Sequence, residues 1–226
     1  MTSLASSITF LNGGERKKNN LKFDLLWQTC KIYLAKGRDI DLIHTRISTD
    51  FAWRLLKEGI KGNEDIVIPA IMFHDIGYSQ IDDKDIYKKT TFPDKANTLY
   101  DIHVKELHLT EGERLTEKIL KELNYPEHLI KPIKEIVRTH EDLQGNKPDQ
   151  SNINRSIVSD ADKLYRYTAH NITSAMSLHG TDKKDVFEFI YENIDKWLCL
   201  DISKRIAIEE LRKLPFGFYP INEKLF

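Results

Sequence analysis

The chain has 226 residues, of which 40% are hydrophobic and 31% are charged, and its formal net charge is −1. This balance is ordinary for a soluble globular protein and provides no basic surface of the kind that binds nucleic acid. Because no apolar run approaches the roughly 20 residues that span a bilayer, and the two cysteines fit no metal-ligand spacing, we expect a cytoplasmic protein with reduced thiols.

Helical spacing of apolar residues runs through most of the chain, and no alternating strand pattern stands out. Residues 1–20 are predicted to form a flexible arm, and residues 21–226 to form a single all-α domain. Caps, glycines and prolines divide this domain into eight predicted helices, at about 21–36, 41–58, 64–77, 110–124, 126–142, 152–174, 182–197 and 201–213. Pro69 lies inside the third, which predicts a kink there or a helix that starts only near Ile68.

Residues 80–107 give no clear element. Loops of more than about 12–15 residues are uncommon in compact domains and are often lids or binding loops. This stretch contains several lysines and His103. Thr110 and Glu113, which follow it, have the spacing of a capping box, so the next helix is predicted to begin at Thr110.

The stretch "PAIMFHDIGY", residues 69–78, is an apolar run that ends in two strongly polar groups. Side chains three and four residues apart share one face of a helix. On that spacing, several predicted helices carry a His or Asp on or beside the apolar stripe that faces the core: His44, His74, Asp75, His108, His140 and Asp160. Burying such a group unpaired costs several kcal/mol. A shared metal ion satisfies all of them together, whereas His128, His170 and His179 are assigned structural or surface roles.

The order His44, His74–Asp75, Asp160 resembles the HD-domain superfamily of metal-dependent phosphohydrolases, and its small stand-alone bacterial branch in particular. The strings "FHDIGY", "HLTEGERLTEKIL", "IVRTHED" and "IVSDADKLYR" carry the resemblance, which covers about residues 40–170. It implies a helical bundle with the metal site between helices. It also implies His44, His74, Asp75 and Asp160 as ligands of a first ion, with His108 and His140 holding a second ion and Asp75 bridging the two.

The resemblance also implies a reaction. Nitrogen and oxygen ligands suit one or two ions of Fe, Mn, Co, Ni or Zn, and such an ion generates hydroxide from water near neutral pH. The expected substrate is a small phosphomonoester or phosphodiester, with a nucleotide foremost. Asp75 would orient the nucleophile and Lys163 would hold a phosphate oxygen, unless Lys163 is a surface lysine. Tyr78 would stack on a base or sugar, and His103 would reach the centre from its loop.

One departure from the family pattern leaves a question open. Family members often have an arginine three residues after the first histidine, where this chain has Ile47 preceded by Arg46. The basic residue that supports the site is therefore not identified from the sequence. Two other functions remain as alternatives: a non-catalytic metal- or ligand-binding regulatory module, and an HD-like di-iron oxygenase. The sequence is compatible with a homo-oligomer, and it does not indicate a membrane partner.

Overall fold

The computed structural model describes residues 13–81, 99–141, 151–179 and 183–214, and these residues contain helices and no strand. The predicted all-α fold is therefore confirmed. None of the helices in these ranges is long and apolar enough to cross a membrane. The helices are α1 (Gly13–Leu34), α2 (Asp41–Lys57), α3 (Glu64–Phe73), α4 (Leu99–Glu122), α5 (Glu127–Thr139), α6 (Ile153–Leu164), α7 (Ala169–His179), α8 (Lys183–Glu192), α9 (Ile194–Trp197) and α10 (Asp201–Arg212).

The short helix α3 lies at the centre of the bundle. Every residue from Ile66 to Phe73 is buried, and α1, α2, α5 and α6 all pack against this helix. A helix that is apolar on all sides is stable only when neighbours surround it. Its end is therefore a buried position, and the two residues that follow it, His74 and Asp75, enter the middle of the protein.

Pro69 is accommodated inside α3 by a side chain from another part of the chain. Proline has no backbone N–H, so the carbonyl of Asp65, four residues earlier, loses its helical donor. The Tyr125 hydroxyl donates to that carbonyl at 2.8 Å. The helix begins at Glu64, where the Asn63 side chain accepts a hydrogen bond from the Asp65 N–H. The predicted alternative, a helix that starts near Ile68, is wrong.

A 3₁₀ turn, Ile76–Gln80, follows the His74–Asp75 pair and packs directly on α4. A Cβ atom placed on Gly77 would lie 1.9 Å from the His108 carbonyl oxygen and 2.6 Å from the Gly112 nitrogen. Only glycine allows the two backbones to approach this closely. This contact is what brings the end of α3 next to His108.

The start of α4 differs from the prediction. The helix begins at Leu99 and runs through Thr110, so the predicted start at Thr110 is wrong. The Thr110 hydroxyl donates to the Glu106 carbonyl oxygen one turn earlier at 2.8 Å, a bond that keeps threonine inside a helix without capping it. His108 therefore lies within a helix. Residues 82–98, which include most of the predicted loop and its lysines, fall outside the described residues.

Two further boundaries differ. Helix α1 begins at Gly13, eight residues before the predicted start, so the predicted arm overlaps it; residues 1–12 fall outside the described residues. The single helix predicted over 152–174 is two helices, because the chain passes through a 3₁₀ turn, Tyr165–Tyr167, and becomes extended at Thr168. The Thr168 hydroxyl then accepts a hydrogen bond from the Asn171 N–H at 3.3 Å and starts α7.

Gly77→Ala should destabilise the protein strongly, because the new methyl group overlaps the backbone of α4. We expect a loss of about 2 kcal/mol or more in the free energy of unfolding, measured by urea denaturation. Gly112→Ala is the matched control. Its added Cβ would meet Val137 Cγ1 at 3.2 Å and no backbone atom closer than 3.6 Å, so the change should stay within about 1 kcal/mol. Equal losses in the two variants would contradict the close-contact explanation.

Candidate metal centre

Two histidines from different helices meet beside Asp75. The Nε2 atoms of His44, on α2, and His74, after α3, are 2.9 Å apart. The Oδ2 atom of Asp75 lies 3.4 Å from the first and 3.3 Å from the second. Three donor atoms of separate residues thus point to one small volume inside the bundle.

The other oxygen of Asp75 faces a second pair of histidines. Its Oδ1 atom lies 3.9 Å from the Nε2 atoms of both His108, on α4, and His140, after α5. In each of the two triads that Asp75 completes, the donor atoms lie within 4.8 Å of one another, which is compatible with a metal ion. The structure therefore brings together five of the six predicted ligands, with Asp75 between the two histidine pairs as expected for a bridge.

The rings of His74 and His140 are oriented by their own helices. Each follows the last residue of a helix, where backbone carbonyl groups lack a helical donor. The Nδ1–H of His74 donates to the Ile71 carbonyl at 2.7 Å, and that of His140 donates to the Val137 carbonyl at 2.8 Å. With Nδ1 protonated, the Nε2 lone pair of each ring is directed to the centre, as metal binding requires.

The donor atoms fit a divalent transition-metal ion. Both ring nitrogens of His108 and the Nε2 atom of His140 are buried and have no hydrogen-bond partner among the described residues. Leaving such groups unsatisfied costs about 1–3 kcal/mol each, and an ion bound to the Nε2 atoms of both rings and to Asp75 would remove that cost for these two atoms. Imidazole and carboxylate ligands without a thiolate suit Fe, Mn, Co, Ni or Zn.

Asp162 completes the first set of donors in the place predicted for Asp160. The Oδ1 atom of Asp162 lies 3.0 Å from His44 Nε2 and 3.5 Å from His74 Nε2. The Asp160 carboxylate lies elsewhere and accepts hydrogen bonds from the backbone N–H groups of Cys199 and Leu200, at 2.8–3.2 Å. Asp160 thus anchors the start of α10, and its predicted place in the cluster is corrected.

The sequence prediction failed here because α6 is buried on more than one face. Asp160 lies on the same stripe as Ile157 and Leu164, and all three are fully buried. On that stripe, Asp160 bonds to the backbone just before α10, whereas the face that carries Asp162 is directed to His44 and His74. The string "SDADKL" offers both aspartates two residues apart, and only the packing partners distinguish them.

Arg38 is a site residue that the sequence did not reveal. Its Nη2 atom donates to Asp75 Oδ2 at 2.7 Å, and its Nε atom donates to Asp41 Oδ1 at 2.6 Å. Asp41 is fully buried and also accepts the Arg38 backbone N–H. Arg46, which precedes the position where family members often have a supporting arginine, lies instead over the Trp27 ring. The local sequence "GRDID" contains the Arg38–Asp41 spacing, but nothing in it connects Arg38 to residue 75.

Of the three residues predicted to contact substrate, Tyr78 and His103 are not placed at the centre in that role, whereas Lys163 lies next to it. Tyr78 is buried, and its ring stacks on that of His108. The prediction that it stacks on a base or sugar of the substrate is therefore corrected. His103 is exposed on α4, five residues from His108 and therefore on a different face. Lys163 is half-buried beside Asp162 on α6, and its ammonium group donates to the Ser159 hydroxyl at 3.0 Å.

The carboxylates keep their charge although they are buried. Burial alone opposes ionisation, but His74 and Arg38 hold the pKa of Asp75 well below its ordinary value. Hydrogen bonds with His44 and His74 likewise hold the pKa of Asp162 well below its ordinary value. Burial also opposes the charge of His74, yet the adjoining carboxylates raise its pKa well above the ordinary range. Burial lowers the pKa of His108 to about 4.

The assignment of Asp162 over Asp160 predicts opposite behaviour for two matched variants. Asp162→Asn should lose the ion held with His44 and His74, because a carboxylate ligand becomes a weak amide donor. Asp160→Asn should keep its metal but lose about 1–3 kcal/mol of stability, because an amide nitrogen faces backbone donors. Metal content by elemental analysis and urea denaturation separate the two effects. Loss of metal in Asp160→Asn alone would contradict the assignment.

Metal affinity should fall as the pH falls. His74 has a raised pKa and holds a proton at neutral pH unless an ion displaces it, so proton and ion compete for the same nitrogen. Between pH 8 and pH 6, the affinity for the ion at His44 and His74 should fall, by at most about tenfold per pH unit, because one proton is displaced from His74. His108, with a pKa of about 4, should add no competition in this range. Calorimetric titration with Mn²⁺ at several pH values measures this dependence, and a flat profile would contradict it.

Comparison with known proteins agrees with the geometry. A search of curated proteins and a search of solved structures found no significant match. A family model described as the HD domain matches residues 42–167, which is more than half of the chain. The matched range includes all four histidines of the centre, together with Asp75 and Asp162. The chain belongs to the HD domain family.

Proposed function

We propose that this protein is a metal-dependent phosphohydrolase that cleaves a phosphomonoester or phosphodiester bond in a small molecule, with a nucleotide as the first substrate class to test. Membership of the HD domain family supports a metal-dependent hydrolase in general. The finer proposal rests on one observation, which is that Asp75 lies between two pairs of histidines. One of its oxygens faces His44 and His74, and the other faces His108 and His140.

The chain's own residues are arranged to serve such a reaction. A bound divalent ion supplies Lewis acidity to a phosphoryl oxygen and lowers the pKa of water. Asp75 holds the two donor sets at a fixed separation, and Arg38 fixes the rotation of Asp75 through its bond to Oδ2. Because Asp75 and Asp162 remain ionised, they partly neutralise the cations and keep the centre from binding phosphate too tightly to release it.

Exposure indicates where a substrate enters. The side chains of His44 and Asp162 are each 12% exposed, whereas those of His108 and His140 are at most 1% exposed. The phosphate group therefore approaches the edge formed by His44 and Asp162. Arg38, whose side chain is 14% exposed, lies at the same edge.

Lys163 is the residue proposed to hold a phosphate oxygen at this edge. It follows Asp162 directly, and burial lowers the pKa of its ammonium group, although Asp162 and Asp160 counter that effect. Its hydrogen bond is donated to an uncharged hydroxyl, that of Ser159, which an anionic phosphate oxygen can replace as a stronger acceptor. The proposed partner is thus a small phosphorylated molecule.

The test is turnover by the metal-loaded protein. We expect the chain loaded with Mn²⁺ or Fe²⁺ to release phosphate or an alcohol from p-nitrophenyl phosphate, bis-p-nitrophenyl phosphate or a panel of nucleotides. Asp75→Ala should reduce turnover by at least about a hundredfold, since both donor sets lose a ligand, and even outer contacts of a metal site are worth 10–100-fold. Asp160→Asn, at a temperature where it stays folded, is the control that should retain activity.

Two outcomes would reject the proposal. A metal-loaded protein that consumes oxygen and hydrolyses no ester in the panel would identify an oxygenase. Tight binding of phosphorylated ligands without turnover, for every metal tried, would identify a binding module. Full turnover in Asp75→Ala would show that Asp75 does not have the assigned role.

A further inference from the structure

The four histidines of the centre are held in place in two different ways. His74 and His140 follow the ends of their helices and bond to their own backbone carbonyls. His44 and His108 lie inside α2 and α4, where the neighbouring carbonyls are occupied by helical N–H groups. Among the described residues, neither nitrogen of His108 has a hydrogen-bond partner, and the bonding contacts of His44 are all made by Nε2.

An aromatic ring packs against each of the two histidines that lack such a bond. The Tyr78 ring stacks on His108, with centroids 4.2 Å apart and planes inclined by 8°. The Tyr165 ring meets His44 edge to face, with centroids 4.6 Å apart and planes inclined by 87°. Both tyrosines are buried, with 2% and 4% of their surface exposed. Each histidine pair thus contains one ring oriented by the backbone and one ring packed against a tyrosine.

Polar contacts hold the tyrosines themselves. The guanidinium carbon of Arg38 lies 3.7 Å from the centroid of the Tyr78 ring, while the same group bonds to Asp75. The Tyr165 hydroxyl and His170 Nδ1 are 2.9 Å apart and share a hydrogen bond. The Arg38 contact covers the face of Tyr78, and the His170 bond fixes the position of the Tyr165 hydroxyl, so both rings are held against their histidines.

We infer that Tyr78 and Tyr165 are positioning residues that act on separate metal positions: Tyr78 orients His108 for the ion shared with His140, and Tyr165 orients His44 for the ion shared with His74 and Asp162. This inference rests on the two-ion centre of the proposed function. It assigns a role to Tyr78 different from the substrate contact expected from the sequence. It also gives His170 a supporting role through Tyr165.

The experiment measures the number of ions per chain after loading with Mn²⁺ and gel filtration, with elemental analysis as the readout. The wild-type chain should retain two ions. Tyr78→Leu and Tyr165→Leu should each retain one, because the affinity of one position falls by about 10–100-fold. Tyr78→Phe keeps the ring and should retain two ions, whereas Tyr165→Phe keeps the ring but loses the hydrogen bond to His170 and should retain a number between one and two. Circular dichroism establishes that each variant is folded, and Tyr78→Met or Tyr165→Met, which fill the volume without a flat ring, replace a leucine variant that is not.

Second substitutions identify which ion each variant has lost. Adding His140→Ala to Tyr78→Leu should change nothing further, whereas adding Asp162→Asn should remove the remaining ion. The pattern should reverse in Tyr165→Leu. If the folded leucine variants keep both ions, or lose both equally, the positioning roles are wrong while the phosphohydrolase proposal stands. If the wild-type chain retains fewer than two ions, the two-ion centre is wrong and this inference is wrong with it.

Discussion

The buried carboxylate of Asp75 is the constraint on which the centre depends. An ionised carboxylate inside a protein is stable only when partners replace the water it has lost, and the effective cost of an uncompensated charge is several kcal/mol. Here Arg38 bonds to one oxygen, and imidazole groups from four different parts of the chain surround both. Removal of any one of these partners changes the electrostatic stabilisation of all the others, because they interact with the same carboxylate.

The contacts that stabilise the fold also set the geometry of the site. Gly77 lets the turn after α3 lie directly on α4, and the same approach fixes the separation of Asp75 from His108. The Tyr125 hydroxyl satisfies the carbonyl that Pro69 leaves without a donor, and α3 continues through Pro69 to Phe73, directly before His74 and Asp75. Stability and function are therefore difficult to separate at these positions, whereas the Asp160 carboxylate bonds to the backbone at the start of α10.

Local pattern was sufficient for the fold class and for most of the residues that meet at the centre. Apolar spacing places His44, His74, His108 and His140 on helix faces that must be buried, and burial of so many polar groups is improbable without a shared partner. The choice between Asp160 and Asp162 depends on which helix packs on which face of α6, and Arg38 reaches Asp75 from 37 residues away. Both depend on contacts between residues that are far apart in sequence, and the spacing of residues along one helix cannot predict such contacts. The predicted helix start at Thr110 was wrong for a related reason. The spacing between Thr110 and Glu113 fits the interior of a helix as well as its start.

The two halves of the centre differ in electrostatic character as well as in depth. Asp75 and Asp162 raise the pKa of His74 against the effect of burial, while burial lowers the pKa of His108. A cation held by His44, His74 and Asp162 would meet two carboxylates and would have to displace a proton from His74, whereas one held by His108 and His140 would meet neutral rings and a single shared carboxylate oxygen. The first of these donor sets lies at the more exposed edge of the centre, and the second is almost fully buried. Asp75 belongs to both donor sets, so occupation of one would change the charge that a cation in the other meets.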